Sequence, residues 1–113
     1  MLISKTFTFD SAHKLPFYEG KCSQLHGHTF KLIVSCAGET DKKSGMIIDF
    51  KEIKNIVSEQ VIDKLDHSYL NDIIENPTCE NTLIWIKENL KALKGLKKLT
   101  LYETETSFCE LEC

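Results

Sequence analysis

Three of the four histidines fall within the first 28 residues, at a spacing that suits metal ligands. His26 and His28 flank Gly27 in a segment with strand-like alternation, where residues two apart point to the same face. His13 closes an earlier alternating segment, so pairing of the two segments would bring it near that His-x-His end. Three neutral imidazoles suit Zn²⁺ and leave a fourth position open for water or substrate, which is typical of catalytic zinc. The alternative is three solvent-facing histidines without a metal.

Cys22 lies four residues before His26, in the same predicted loop. It could be a fourth zinc ligand, which would close the site and make it structural. It could equally be a nucleophile or a proton-transfer group activated by a neighbouring cation. Of the other cysteines, Cys36 falls on the apolar face of a predicted strand and is expected in the core. No role is predicted for the remaining three, Cys79, Cys109 and Cys113.

Two further acidic positions have the chemistry of an active site. Asp66 and His67 form a loop pair in which a carboxylate could orient an imidazole for acid–base work. Glu103 ends an apolar strand and could accept two parallel N–H bonds from a guanidine-like heterocycle edge. The alternatives are a surface Asp-His pair and an exposed strand-end glutamate.

Composition narrows the function classes. The chain has 113 residues and a net charge of -3, which gives no field suited to nucleic acid or to anionic membranes. Its 14 basic residues are all lysine, so no guanidinium fork is available for phosphate or carboxylate. Phosphate contacts must therefore come from lysine, histidine, hydroxyl groups or backbone amides.

The location expected from the sequence is cytoplasmic. No apolar run approaches the roughly 20 residues that a membrane span requires. The N-terminus has neither a basic region nor an apolar core of a secretory signal. The 5 cysteines are an odd number without paired spacing, which indicates free thiols in a reducing compartment.

The elements that must position these side chains follow from hydrophobic periodicity. We expect one domain over residues 1–113, with strands at 2–9, 27–37, 46–48, 99–103 and 108–112. Helices are predicted from an N-cap at Asp49 to about Leu65, and from an N-cap at Thr78 to a stop at Gly95. Residues 10–25 and 66–77 are expected to be long irregular connections, and such loops are usually functional.

The order of the predicted strands and helices favours an α+β fold. Apart from the short return strand at 46–48, it reads β-β-α-α-β-β, which predicts a four-stranded antiparallel sheet with both helices on one face. The two edges of such a sheet would be unpaired, so oligomerisation into a closed assembly is expected.

Taken together, the motifs resemble those of the 6-pyruvoyl-tetrahydropterin synthase / 6-carboxy-tetrahydropterin synthase family. The resemblance covers essentially the whole chain and follows the family's order. The segments that carry it are Phe-Asp-Ser-Ala-His13, Cys22-Ser-Gln-Leu-His26-Gly-His28, Gly45-Met-Ile-Ile-Asp-Phe50, Leu65-Asp-His-Ser-Tyr-Leu-Asn71, Pro77-Thr-Cys-Glu-Asn81 and Glu103-Thr104.

The resemblance implies a fold and a reaction. The fold is the tunnelling fold (T-fold), whose subunits trimerise into barrels and usually stack as homohexamers. The three-residue gap between Cys22 and His26 resembles the 6-carboxy-tetrahydropterin synthases of queuosine biosynthesis. The implied substrate is 7,8-dihydroneopterin triphosphate, and the products are 6-carboxy-tetrahydropterin, acetaldehyde and triphosphate.

The resemblance also implies a role for each candidate residue. Zinc would bind at His13, His26 and His28, with Cys22 as general acid or base. The partner relay would be Asp66 and His67, which in the family come from a neighbouring subunit. Glu103 would hold the pterin ring, assisted by Thr78 and Glu80. At position 79 the family usually has a hydroxyl or another small residue, and this chain has Cys79. Because the chain lacks arginine, Lys14 and Lys21 are assigned to the triphosphate.

Three other readings stay open at this point. The first is formation of 6-pyruvoyl-tetrahydropterin at the same site, and the second is simple cleavage of a reduced pterin side chain. The third is a non-catalytic zinc-stabilised domain in which Cys22 completes a Cys-His₃ site.

Overall fold

The computed structural model describes every residue, Met1–Cys113. Five strands form one sheet: β1 (Leu2–His13), β2 (His26–Ala37), β3 (Ser68–Tyr69), β4 (Leu96–Tyr102) and β5 (Phe108–Glu112). The helices are α1 (Phe50–Val57), which continues through a π-helical segment (Ser58–Ile62) into α2 (Asp63–Leu65), and α3 (Cys79–Glu88). Short 3₁₀ turns occupy Lys21–Ser23 and Leu70–Asp72. None of the helices combines the length with the apolar character that a membrane-spanning helix requires.

The sheet has the order β3-β1-β2-β4-β5. The pairs β1–β2, β2–β4 and β4–β5 are antiparallel, as the sequence predicted for the sheet, although it did not predict that β2 lies next to β4. The fifth strand, β3, was not predicted. It pairs in parallel with β1 at Ser11 and Ala12, inside the stretch expected to be irregular. Two residues are too few for a periodic signal, and their strand conformation depends on docking against β1.

The return strand predicted at residues 46–48 is wrong. Residues 41–46 form a turn, closed by a hydrogen bond from the Asp41 N–H to the Met46 carbonyl (2.9 Å), in which Gly45 adopts a φ of 73°. Residues 46–48 pair with no strand. Met46 is exposed, while Ile48 packs against the hydrophobic core.

Both helices begin at the predicted caps. The Asp49 side chain accepts from the Lys51 N–H and the Thr78 hydroxyl from the Asn81 N–H, which satisfies free donors of each first turn. The first helical run reaches Leu65 as predicted. The second ends at Glu88, short of Gly95, although Leu90 and Leu93 of its expected apolar stripe remain buried in the turns that follow.

The core lies between one face of the sheet and the helices. Its buried members alternate along β2 and β4 and recur at helical spacing on the helices: Phe30, Leu32, Val34, Leu99, Leu101, Ile53, Val57, Val61, Leu83 and Ile86. Cys36 is fully buried in this core, as predicted. The α+β class and the placement of both helices on one face are therefore confirmed.

Candidate active site

The long β1–β2 pair brings the three histidines together. His13 lies directly opposite His26 in the register, and His28 faces Ser11 two positions further on. His13 is fully buried, and the ring centroids of the three imidazoles lie 4.5–5.0 Å apart. The predicted juxtaposition of His13 with the His-x-His end is confirmed, because strand period and register place all three rings on one face.

Backbone carbonyls fix the tautomers of two of these histidines. Nδ1 of His13 lies 2.9 Å from the Pro77 carbonyl oxygen, and Nδ1 of His26 lies 2.8 Å from that of Gln24. A carbonyl only accepts, so each Nδ1 carries the proton and each neutral ring keeps its lone pair on Nε2. Those two Nε2 atoms are 2.9 Å apart, a repulsive arrangement unless a cation or proton sits between them.

Glu103, just beyond β4, completes the cluster. Its Oε1 lies 3.3 Å from Nε2 of His13 and 3.1 Å from Nε2 of His28. The His28 contact is close enough for an ion pair but lacks hydrogen-bond geometry, so the buried Nε2 of His28 has no hydrogen-bond partner. Three imidazole nitrogens and a carboxylate oxygen thus converge within 4.8 Å of one another.

The dimensions of this cluster fit a tetrahedral metal ion. Ligand atoms at ~2.0–2.1 Å from a tetrahedral zinc are separated from one another by about 3.3 Å. Three of the six separations, at 2.9, 3.1 and 3.3 Å, are close to that value, and all of them lie within 4.8 Å. The Pro77 and Gln24 carbonyls supply the outer-shell hydrogen bonds that orient metal-binding imidazoles. His13, His26, His28 and Glu103 can therefore hold a metal ion.

The charges in the cluster are coupled. Burial lowers the pKa of His13, but the Glu103 carboxylate and the hydrogen bond to the Pro77 carbonyl outweigh it, so the net shift is upward. Burial also dominates at His28, where the neighbouring His13 and His26 oppose the effect of Glu103 and the net pKa is lowered. The contact with His13 is the main cause that holds the pKa of Glu103 below its ordinary value. The carboxylate is therefore ionised and serves as the counter-charge of the cluster.

Cys22 stands apart from the four converging groups. It lies in the 3₁₀ turn Lys21–Ser23, is half-buried, and has a free thiol. Its sulfur is not among the ligand atoms that lie within 4.8 Å of one another. This arrangement disfavours the Cys-His₃ reading and leaves the thiol available for proton transfer.

Asp66 and His67 form the pair that the sequence suggested. Oδ2 of Asp66 lies 3.0 Å from Nδ1 of His67, and Oδ1 accepts from the Asp10 N–H at 2.9 Å. This backbone hydrogen bond is the main cause of the lowered pKa of Asp66. His67 takes a left-handed φ of 56°, which a hydrogen bond from its N–H to the Asp10 carbonyl (2.7 Å) maintains. Its imidazole is 81% exposed, so the pair presents an oriented ring to solvent.

An open groove of about 510 Å³ runs between this pair and the histidine cluster. His28 and His67 both line it, whereas Cys22 does not. No hydrogen bond joins Cys22 to His67, so the relay between them does not form within one chain. Gly27 also lines the groove, and a methyl group there would meet only the Ser11 carbonyl at 3.7 Å.

Two of the residues predicted to bind the pterin ring line a second cavity, which is smaller than the groove. Glu80 and Glu103 line about 260 Å³ together with Cys79, Ser107, Phe108 and Cys109. The Thr78 hydroxyl oxygen is occupied as the helix cap, while its proton remains free to donate. Because Glu103 touches both this cavity and the histidines, the cavity adjoins the candidate metal centre.

Lys14 and Lys21 flank the metal-binding loop, and both are exposed. The Asn71 side chain holds the backbone of Lys14 at both ends, accepting from its N–H (2.9 Å) and donating to its carbonyl (2.8 Å). These contacts keep the loop ordered and leave the ammonium group of Lys14 free for an anionic ligand.

Sequence reasoning missed the contact between Glu103 and the histidines, and the two carbonyls that orient the rings. The carbonyls of Pro77 and Gln24 belong to the backbone, so no residue type marks them. The contact of Glu103 depends on β4 lying next to β2, a pairing that local periodicity does not specify.

Comparison with known proteins identifies the family that shares this arrangement. The family model described as 6-pyruvoyl tetrahydropterin synthase matches residues 2–113. The chain belongs to this family. It is therefore an enzyme of the pterin synthase type, as its motifs indicated.

Relatives within the family differ in the reaction that they are named for. The chain is 40% identical over 114 residues to the 6-carboxy-5,6,7,8-tetrahydropterin synthase of Synechocystis, covering 94% of this chain and 88% of that protein. It is 43% identical over 109 residues to the dihydroneopterin monophosphate aldolase of Pyrococcus furiosus, covering 93% and 91%. The solved 6-pyruvoyl tetrahydropterin synthase of Caenorhabditis elegans superposes with a TM-score of 0.90 at 28% identity, covering 100% of this chain and 95% of that one. The T-fold is thereby confirmed.

Proposed function

We propose that the chain is a zinc-dependent lyase of the 6-carboxy-tetrahydropterin synthase branch. It would convert 7,8-dihydroneopterin 3'-triphosphate and water to 6-carboxy-5,6,7,8-tetrahydropterin, acetaldehyde and triphosphate, a step of queuosine biosynthesis. The observation that carries the proposal is the convergence of three histidine nitrogens with Glu103 beside a cavity lined by Glu80. The short Cys22–His26 spacing and the Synechocystis relative favour the carboxy branch.

His13, His26 and His28 would hold the zinc ion, since the three rings converge and Nε2 of His13 and of His26 keeps a free lone pair. When bound there, zinc would acidify the hydroxyl groups of the substrate side chain and stabilise the negative charge of the proton shifts. Burial of His13 keeps this centre away from bulk water and strengthens its electrostatic interactions.

The proton-transfer groups are Cys22 on one side and the Asp66–His67 pair on the other. Asp66 orients the His67 ring through Nδ1, which leaves Nε2 to exchange a proton with the substrate or with a thiol. Because His67 is exposed and Cys22 does not line the groove that His67 lines, we propose that the pair acts on the site of a neighbouring subunit.

Glu103 would bind the pterin ring by accepting two N–H bonds from its guanidine-like edge. Its ionised state suits this task; Glu80, which lines the same cavity, and the Thr78 hydroxyl would assist. In the absence of a ligand the same carboxylate contacts His13 and His28. Substrate binding would therefore draw it away from the histidines and towards the cavity.

Lys14 and Lys21 would contact the triphosphate. Replacing both with alanine is expected to raise KM for the triphosphate far more than KM for dihydroneopterin, because only the former carries the charge that the ammonium groups bind. Steady-state kinetics with the two substrates would test this, and equal effects on both would refute the assignment.

The assembly would be a homo-oligomer, a trimer or a hexamer, in the cytoplasm. Two strand edges support this proposal. β5 has a neighbour on one side only, and β1 is paired with β3 only at Ser11 and Ala12. Joining these edges between subunits would satisfy their backbone groups and close a barrel. It would also bring the His67 of one subunit towards the metal centre of another.

A second candidate function is aldol cleavage of dihydroneopterin monophosphate. The observations that favour it are the 43% identity to the Pyrococcus furiosus aldolase and the absence of arginine for a large polyanion. The same zinc centre would serve, because both reactions need negative charge stabilised on the substrate side chain.

The deciding experiment is incubation of zinc-loaded protein with each substrate in turn, followed by mass spectrometry of the pterin and an assay for small aldehydes. A carboxypterin with acetaldehyde supports the proposal. A hydroxymethylpterin with a phosphorylated two-carbon aldehyde supports the aldolase. A pyruvoyl product without acetaldehyde would move the chain to the pyruvoyl branch, and no turnover with tightly bound zinc would favour the structural reading.

A further inference from the structure

Two cysteines to which the sequence assigned no role touch each other at the candidate ring-binding cavity. Cys79 is the first residue of α3 and Cys109 lies in β5, 30 positions later. Their Sγ atoms are 3.1 Å apart, which is closer than ordinary contact between sulfurs that are not hydrogen-bonded. Both thiols are free.

Both cysteines are positioned by contacts with Leu101 of β4. The Cys79 thiol donates to the Leu101 carbonyl at 3.4 Å, and Cys109 is the direct β5 partner of Leu101. The contact is therefore supported by the α3–sheet packing and by the β4–β5 register. Cys109 is half-buried and reaches the cavity, so a small molecule that enters the cavity can reach the pair.

We propose that Cys79 and Cys109 are a modification site that closes to a reversible disulfide when a peroxide enters the cavity. The Cys109 sulfur attacks the O–O bond of the peroxide and becomes a sulfenic acid while water leaves. The Cys79 sulfur then attacks the sulfenic sulfur, the S–O bond breaks, and its hydroxide leaves with the thiol proton as a second water. Two thiols are oxidised by two electrons and one hydrogen peroxide is reduced to two waters.

Closure changes the cavity that both thiols line. The two sulfurs must approach from 3.1 Å to a bond length of about 2.05 Å, which draws β5 and the first turn of α3 together. Glu80 sits in that turn, and Glu103 lies at the end of the strand paired with β5. The disulfide therefore narrows the gap between the two carboxylates assigned to the heterocycle.

The surroundings keep the pair reduced until a strong oxidant is present. Burial raises the pKa of the Cys79 thiol far above its ordinary value, and the hydrogen bond to Cys109 adds to the rise. Burial also raises the pKa of Cys109. Since the thiolate is the reactive form, disulfide formation should be slow at neutral pH and faster in alkaline solution.

The first measurement does not depend on the proposed function. Reduced protein is treated with hydrogen peroxide, its remaining thiols are alkylated, and peptides are mapped by mass spectrometry. We expect a linked peptide joining Cys79 to Cys109, which disappears after treatment with a dithiol. Cys113→Ser, which removes an exposed thiol, should form the same link, and Cys109→Ser should not. Absence of the linked peptide in wild-type protein would overturn the proposal.

The second measurement rests on the proposed function and concerns turnover of the pterin substrate. Each variant is compared with its own reduced form, because Cys79 and Cys109 line the substrate cavity. Oxidised wild type should lose kcat/KM by on the order of tenfold to a hundredfold, and a dithiol should restore it. Cys109→Ser should lose much less. Equal, dithiol-reversible loss in the variant would assign the effect to oxidation of another cysteine and refute the effect of the Cys79–Cys109 link on the cavity. The linked peptide would still decide whether the disulfide forms.

Discussion

At the scale of single residues, the chemistry of the metal centre depends on which nitrogen of each histidine carries the proton. The Pro77 and Gln24 carbonyls place it on Nδ1 of His13 and His26, which leaves both Nε2 atoms free to bind. A divalent ion bound by three neutral rings would keep its full positive charge, and the nearby Glu103 carboxylate would offset part of it. Substitutions that each change a single functional group can distinguish the role of Cys22 from that of Glu103.

Cys22→Ser is expected to retain one zinc per chain and to lose turnover by at least about a hundredfold, the usual range for a proton-transfer group. The reason is that the thiol lies outside the four groups that converge on the metal position. Elemental analysis and steady-state kinetics measure the two properties on one sample. Cys113→Ser is the matched control and should change neither. Loss of zinc from Cys22→Ser would instead indicate a structural Cys-His₃ site.

Glu103→Gln is expected to lower kcat/KM by about tenfold or more and to leave zinc bound. Three histidines are sufficient to hold a catalytic zinc, whereas a charge-assisted bond to the ring is worth roughly 1.5–3 kcal/mol. Zinc content and kcat/KM are to be compared with those of Glu105→Gln, an exposed glutamate two residues further on. If Glu103→Gln released the metal and Glu105→Gln did not, Glu103 would be a ligand rather than the ring anchor.

At the scale of elements, the site depends on the register between β1, β2 and β4. The backbone of Gly95 sets the start of β4 against the end of β2, because its carbonyl accepts from the Ala37 N–H at 2.8 Å. A methyl group at Gly95 would lie 2.6 Å from the Ala37 carbonyl oxygen, and the residue has a φ of 77°. Glycine at this position therefore satisfies both a steric and a conformational requirement.

Gly95→Ala is expected to destabilise the protein more than Gly45→Ala. Gly45 has a similar φ of 73° but nothing within 4 Å of the position that a methyl group would take. Both variants bear the cost of a left-handed alanine, about 1–2 kcal/mol, and only Gly95→Ala adds the collision with Ala37. Urea titration gives both free energies of unfolding. Equal values would show that the strands shift to relieve the contact without cost.

At the scale of the whole molecule, the metal centre joins parts of the chain that are far apart in sequence. His13 and His26 come from the β1–β2 pair, Pro77 precedes α3, and Glu103 follows β4. A bound ion would cross-link β1 to β2 at the point where the Pro77 carbonyl and Glu103 contact the histidines. In a chain of 113 residues, where the core is limited, such a link should contribute measurably to stability.

Removal of zinc with a chelator is expected to lower Tm, and re-addition of zinc should restore it. Zinc binds neutral imidazoles, so its affinity should fall with decreasing pH. Because the Glu103 carboxylate raises the pKa of His13 above its ordinary value, this fall should begin at a higher pH than for an ordinary histidine. Thermal unfolding with and without chelator across this pH range measures the effect, with His67→Ala as a control for an exposed histidine outside the cluster. A Tm that did not respond to zinc at any pH would rule out a stabilising metal.

Local patterns were sufficient to predict much of the molecule. Strand alternation predicted β1, β2, β4 and β5, helical spacing and caps predicted where both helices begin, and the His-x-His spacing predicted the three converging rings. These features depend on residue type and on periods of two and 3.6, which a sequence displays directly. The family resemblance added the expected roles of Cys22, Asp66, His67 and Glu103.

Other features were decided only by tertiary structure. The short strand β3, the contact of Glu103 with His13 and His28, the Pro77 carbonyl on His13 and the Cys79–Cys109 pair all join residues from distant segments. Each depends on register and packing between elements, or on backbone groups that every residue possesses. The sequence by itself therefore determined which side chains were available for chemistry, and the packed sheet and helices decided which atoms meet.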